Sequence, residues 1–231
     1  MYDMLLARRR ILLAKKSGGA PDMVLLINSP NTGDFSVSTN YGTFTAAKVS
    51  EYPYLGTTVT HKLSISDVTF STGQRISDDS AVRGLFVGVE SWGASNTYTN
   101  TSSLFYECTN LRGIPSSWEG LGSLGYASAM FQGCTSITNI PDSWEGLASL
   151  TSASAMFQGC TSLSNCGTTF TGLAKATDVS SLFDGCTGMQ GDIHALYVYL
   201  STKPIIVTVF ERCFQNCTQA VGYSSIPASW K

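Results

Sequence analysis

The chain holds seven cysteines, and four of them, Cys108, Cys134, Cys160 and Cys186, stand 26 residues apart. A further one, Cys217, follows after 31 residues. Thiols at a fixed spacing can hold a metal, form disulfides or fill space. A structural zinc site wants two close pairs, such as C-x2-C twice, and here only Cys213 and Cys217 are near each other. Stacked units would bring neighbouring Cα atoms within the roughly 4.4–6.8 Å disulfide range, but parallel Cβ vectors aim the sulfurs poorly. Buried free thiols behave as small hydrophobes. The spacing favours packed free thiols over a disulfide and over a metal, and leaves the role of Cys213 and Cys217 open.

Other chemistry is sparse. The chain has two histidines. His61 is lone, and His194 follows Asp192 by two residues. A Ser-His-Asp site would have to use one of the two, and no nucleophile elbow accompanies either. "GLGSLG" at 120–125 fits G-x-G-x-x-G, but "GLASLT" fills the equivalent place one unit on. Those glycines read as a turn of the repeat, without the strand and acidic partner of a dinucleotide site. Trp118 and Trp144 could stack on sugars, yet their period assigns them to packing. A non-enzymatic protein is expected, with no catalytic residue, cofactor or metal.

The element that positions these residues is the repeat itself. Phe105, Phe131, Phe157 and Phe183 precede the four cysteines by three, and a Thr follows each cysteine. Trp92, Trp118 and Trp144 keep the same period, with Phe170 in the next place. "ASAMFQGCTS" occurs twice, and "IPSSW", "IPDSW" and "IPASW" are one element seen three times. An insertion around "DIHALYVYLSTKPIIVTVF" delays the last unit. One such unit cannot bury its apolar face alone, so stacked units share a core. Residues 92–231 are therefore expected to form about five coils, each with a short strand in a parallel sheet. Leu111, Ile114, Ile137, Ile140 and Leu163 would point in, leaving Arg112, Thr138, Asn139, Ser164 and Asn165 outward as candidate ligand-binding residues. A helical turn ending at Gly133 or Gly159 is expected before each cysteine.

The repeated Phe-x-x-Cys-Thr element resembles the BspA-like leucine-rich-repeat surface proteins, whose units read MFxGCxSLxxI. The resemblance covers residues 92–231. It implies a leucine-rich-repeat-like solenoid and adhesion in general, without specifying a ligand. Cys166-Gly167 in place of Ile-Pro, and the insertion, depart from the pattern.

Two further regions precede the repeats. Residues 22–91 are rich in β-branched and aromatic residues and alternate in places, as in Phe35, Val37 and Thr39 against Ser36 and Ser38. They predict a small antiparallel, sandwich-like β domain. Residues 1–21 predict a basic amphipathic helix and linker. "MLLA" and "ILLA" recur at seven residues around Arg8, Arg9 and Arg10. An isolated helix of this length is marginal in water, so Leu5, Leu6, Ile11, Leu12 and Leu13 with the three arginines are expected to anchor the chain in an assembly. The fold class expected overall is β-rich: a short helix, a small antiparallel domain and the solenoid.

Charged residues are 13% of the chain, about half the roughly 25% usual for soluble proteins, and net charge is -2. Neither recommends nucleic acid as a partner. No apolar run approaches the ~18 residues of a membrane span. The arginines interrupt what a secretory signal would keep apolar. Adhesin-like repeats without an export signal suggest a bacteriophage virion protein, in a fibre, tail or head decoration, because phage proteins leave by lysis. Its partners would be other virion proteins, copies of itself (possibly as a trimer) and a host-surface glycan or protein. The alternative is a bacterial cell-surface adhesin.

Overall fold

The computed structural model describes residues 23–29, 35–40, 42–48, 59–65, 75–93 and 98–231. The helix expected over 1–21, with its anchoring residues Leu5, Leu6, Arg8, Arg9, Arg10, Ile11, Leu12 and Leu13, lies outside the described residues.

Five strands form one sheet: β1 Met23–Ser29, β2 Phe35–Thr39, β3 Gly42–Lys48, β4 Val59–Ile65 and β5 Phe86–Ser91, in the order β2-β3-β4-β1-β5. All its pairings are antiparallel. Alternation explains β1: Met23, Leu25 and Ile27 are fully buried, as the two-residue period of a strand requires. Leu25 pairs Leu63 on one side and Val89 on the other. Among the described residues the expected sandwich is a single sheet. The residues of the second layer are those that follow it in sequence, and Ile76, Leu104 and Phe105 share the sheet's core.

A four-residue helix, α1 (Ser80–Arg83), leads into β5. Asp79 caps it by accepting the N–H of Ala81 at 2.8 Å, the ordinary role of Asp at a helix start. Arg83 is buried and donates to the carbonyls of Ser77 and Asp78 and to Glu107 Oε2 at 3.1 Å. The outer edge of β5 meets the repeats directly. Arg112 N–H donates to Val87 O, and Val89 N–H donates to Gly113 O.

The leucine-rich-repeat-like solenoid with a parallel sheet is not what forms. Among the described residues no strand follows β5, and the main chains of successive units form strand-like pairings only at isolated parallel bridges such as Asn100–Tyr126, Tyr126–Ser152 and Ser152–Asp178. The backbone explains why. Ala129 and Gly133, Ala155 and Gly159, and Ser181 and Gly185 all have positive φ, which breaks an extended run. Only alternate N–H groups reach the next unit: Ala127, Ala129, Phe131 and Gly133 donate to Ser152, Ser154, Met156 and Gln158. The groups between, Met130, Gln132 and Cys134, fold back three residues within their own unit. A strand inside a sheet would send both sets to its neighbours. Each unit is therefore a string of tight turns. Gly133 and Gly159 do sit in the left-handed region, but no α-helix precedes them.

The insertion forms α2 (Ile193–Thr202). Asp192 caps it by accepting the N–H of Ala195 at 3.0 Å, and Ile193, Leu196 and Leu200 bury one face. Lys203 ends it, 7% exposed, with its ammonium on the carbonyls of Ala174, Ala176 and Ile205. Burial pulls this lysine's pKa below its ordinary value. Three donors meeting three main-chain acceptors satisfy a group that burial would otherwise penalise.

Candidate functional site

Equivalent side chains of successive units lie against one another. Phe105, Phe131, Phe157, Phe183 and Phe214 form one row, with ring centroids 5.6, 5.3, 5.7 and 6.4 Å apart and planes within 10° of parallel. Trp92, Trp118 and Trp144 form a second row at 5.9 Å per step. All eight are buried. Such pairs contribute roughly 0.5–1.5 kcal/mol each beyond the area they bury. Trp118 and Trp144 are therefore inside, and present no face to a sugar.

The thiols form a third row, with a partner the sequence did not reveal. Cys134, Cys160, Cys186 and Cys217 each donate to the carbonyl of the preceding unit's phenylalanine: Phe105 at 3.0 Å, Phe131 at 3.2 Å, Phe157 at 3.1 Å and Phe183 at 3.1 Å. Cys213 lies in the place held by Met130, Met156 and Leu182, and donates no such bond. All seven cysteines are free and buried. Burial pushes the thiols of Cys108, Cys160, Cys166 and Cys217 up to about 12. Cys134, Cys186 and Cys213 are raised by the same desolvation, with neighbouring thiols adding to it. The thiolate is the nucleophile and metal ligand, so this packing suppresses both chemistries. Among the described residues no three metal-ligating side chains gather.

The glycines of the "EGL" and "TGL" elements have a steric reason. A Cβ on Gly120 would sit 2.2 Å from Gly93 O, and one on Gly172 would sit 1.6 Å from Trp144 O. The preceding unit's backbone occupies the space of a side chain, which only glycine allows. The departure Cys166-Gly167 acquires a role as well. Gly167 has φ +81°, and a Cβ there would lie 2.8 Å from Trp144 Nε1. With that space clear, Trp144 Nε1 donates to Cys166 O at 2.9 Å. Trp92 Nε1 finds Ser117 O at 3.0 Å. Trp118 keeps a buried Nε1 without an acceptor, and Ile140 O is taken by Asn165 Nδ2 at 3.1 Å.

Four of the five candidate ligand-binding residues come together. Ser164 Oγ donates to Thr138 O at 2.9 Å and stands 3.1 Å from Asn139 Oδ1, and Asn139 Nδ2 reaches Thr138 Oγ1 at 3.2 Å. Asn165 accepts from Ile140 N–H at 3.0 Å while donating to Ile140 O, so its amide stands in for a stretch of backbone. Thr138 and Asn139 are exposed, whereas Ser164 and Asn165 are half-buried between units. Arg112 is exposed too, one unit earlier, beside β5. Leu111, Ile137, Ile140 and Leu163 are buried as expected, whereas Ile114 is only half-buried. His194 packs near Tyr197, with centroids 6.0 Å apart. Asp192 is engaged as the α2 cap, and the side chain of His61 lies outside the described residues.

A polar row runs beside these. Gln132 Nε2 donates to Gln158 Oε1 at 2.6 Å, and Gln158 Nε2 donates to Asp184 Oδ2 at 3.1 Å. Asp184, 3% exposed, pairs with Arg212 Nη2 at 2.7 Å. Sequence reasoning missed this pair, because Asp184 and Arg212 differ from their equivalents in the other units. It also missed α2, although Asp192 ahead of apolar residues at 193, 196 and 200 is a helix-start signal.

Among the described residues no helix is long and apolar enough to cross a membrane. No curated protein and no solved structure matches the chain. The profile of one family matches residues 79–196, from the start of α1 into α2 and just over half of the 231 residues. On that match the chain belongs to the family described as "Mycoplasma protein of unknown function, DUF285".

Proposed function

We propose that this is a non-enzymatic structural and adhesion protein of a bacteriophage particle, held by its N-terminal segment with the repeats displayed toward the host surface. The observation that carries the non-enzymatic part is the fate of the repeated letters. Phe, Trp and Cys, which recur most regularly, are turned inward and spent on packing. What recurs on the outside is short and polar, as a display scaffold needs. For ligand contact the reading falls on Arg112, Thr138 and Asn139, because Ser164 and Asn165 hold adjacent units together. The ligand is a host-surface glycan or protein. The family description, which names a bacterial genus, favours a second carrier: the surface of a bacterial cell, with the same display role.

Gradient-purified particles and protease-shaved cells, both probed for peptides of this chain by mass spectrometry, separate the carriers. Peptides banding with particles support the first, and peptides released by shaving intact cells support the second. Peptides only in the soluble lysate would remove the display reading altogether. Replacing Arg112 and Asn139 together by Ala should abolish adhesion while leaving the melting temperature unchanged.

A further inference from the structure

Asn139 is exposed, yet its carboxamide is held at both ends. Its Nδ2 donates to Thr138 Oγ1 at 3.2 Å, and its Oδ1 lies 3.1 Å from Ser164 Oγ of the next unit. Turned over, the amide would meet the same two hydroxyls with donor and acceptor exchanged, so its plane is fixed either way. Ser164 is fixed in turn, because its N–H and its Oγ both donate to Thr138 O, each at 2.9 Å. A primary amide has two N–H groups and an oxygen with two lone pairs. One of each is spent on these neighbours, and one of each is left on an exposed side chain. Arg112 stands in the place of Thr138 one unit earlier and is exposed. Among the described residues no carboxylate pairs with it. Asp142, three residues past Asn139, is taken up by Asn165 Nδ2 at 3.4 Å.

Resting on the display role proposed above, we infer that this row takes an extended acidic segment of a polypeptide, with Ser164 as the residue that positions Asn139. A peptide main chain is planar and offers its own N–H and C=O in fixed directions, so it matches one fixed N–H and one fixed oxygen. A sugar hydroxyl rotates about its C–O bond and gains nothing from a plane held in advance. The row also lacks a ring on which a sugar would stack, since its members are Arg112, Thr138, Asn139 and Ser164. Main-chain bonds supply affinity without reading side chains. The Arg112 guanidinium supplies the preference, by pairing with a carboxylate of the segment.

Biolayer interferometry on the full chain tests this with immobilised probes: an alternating Glu-Gly octapeptide, the same octapeptide methylated at every main-chain nitrogen, and chitohexaose. The octapeptide should bind, the methylated form at least about tenfold more weakly for want of its N–H donors, and chitohexaose not at all. Ser164→Ala leaves Arg112, Thr138 and Asn139 in place and should weaken octapeptide binding about tenfold, while Ser164→Thr, which keeps the hydroxyl, should bind as the wild type does. Asn139→Asp should weaken binding too, and as an exposed position it does not depend on the packing between units. Equal binding of the methylated peptide, binding of chitohexaose in place of the octapeptide, no binding of the octapeptide, or wild-type binding by Ser164→Ala and Asn139→Asp overturns the assignment. Failure of the display role reads differently: the chain would bind the octapeptide yet show no adhesion to host cells. Adhesion that excess octapeptide leaves unchanged removes the peptide and keeps the display role.

Discussion

The thiol of Cys160 donates to the main-chain oxygen of Phe131, 3.2 Å away, and that oxygen also accepts the N–H of Cys134 at 3.0 Å. One carbonyl so ties together two turns of one unit and the side chain of the next. The bond holds only while the sulfur keeps its proton. Burial raises the Cys160 pKa from 9.0 to about 12, and the other thiols are raised in the same direction.

Stability should therefore fall in alkali. Between about pH 9 and 12 the unfolded chain loses thiol protons that the folded chain retains, so folding is favoured below that window and weakened as pH rises through it. The melting temperature should be flat from pH 6 to 8 and decline above pH 9. Cys160→Ser keeps a donor but removes one titrating group, so its decline should be shallower than the wild type's. An equally steep decline would show that this thiol is not coupled to folding.

Two of the interior tryptophans should respond differently to losing their N–H. Trp144 Nε1 is bonded to Cys166 O, whereas Trp118 Nε1 is buried without an acceptor. Trp144→Phe should cost about 1–2 kcal/mol more than Trp118→Phe, because only the first breaks a buried hydrogen bond. Urea unfolding of both variants measures the difference, and equal costs would contradict it.

A glycine pair gives a steric contrast. Gly172→Ala would place a methyl group 1.6 Å from Trp144 O, while a Cβ on Gly113 meets nothing within 4 Å. The first substitution should destabilise by at least about 3 kcal/mol. The second should lie within roughly 1 kcal/mol of the wild type, since it mainly stiffens the unfolded chain. Thermal melts of the two proteins check both values.

The Asp184–Arg212 pair is one-sided, with an exposed arginine serving a buried carboxylate. Arg212→Ala should cost about 2 kcal/mol by leaving that charge without its partner. Adding Asp184→Asn should restore part of the loss, because the amide carries no charge to bury and its one oxygen can still accept from Gln158 Nε2. A double variant no more stable than Arg212→Ala would show that the charge is not what costs.

Which letters stack was legible in the sequence, because a fixed 26-residue spacing of large apolar residues leaves little else for them to do. How the backbone carries them was not. Ala129, Ala155 and Ser181 take the left-handed conformation although nothing in an Ala or Ser announces it, and these residues turn the expected parallel strands into turns. The single sheet was read as a sandwich because alternation identifies a half-buried strand but not what covers it. Three of the four thiol–carbonyl bonds join residues 29 apart, an offset that the 26-residue period does not suggest.

The account rests on the repeated thiols and rings filling an interior, and thiol labelling of the native chain tests that most directly. A small alkylating reagent at pH 8, followed by mass spectrometry, should leave Cys134, Cys160 and Cys186 unmodified in the native protein and modify all seven cysteines after denaturation without reductant. Rapid labelling of any of those three in the native state, or cysteines that resist labelling after denaturation until a reductant is added, would contradict it.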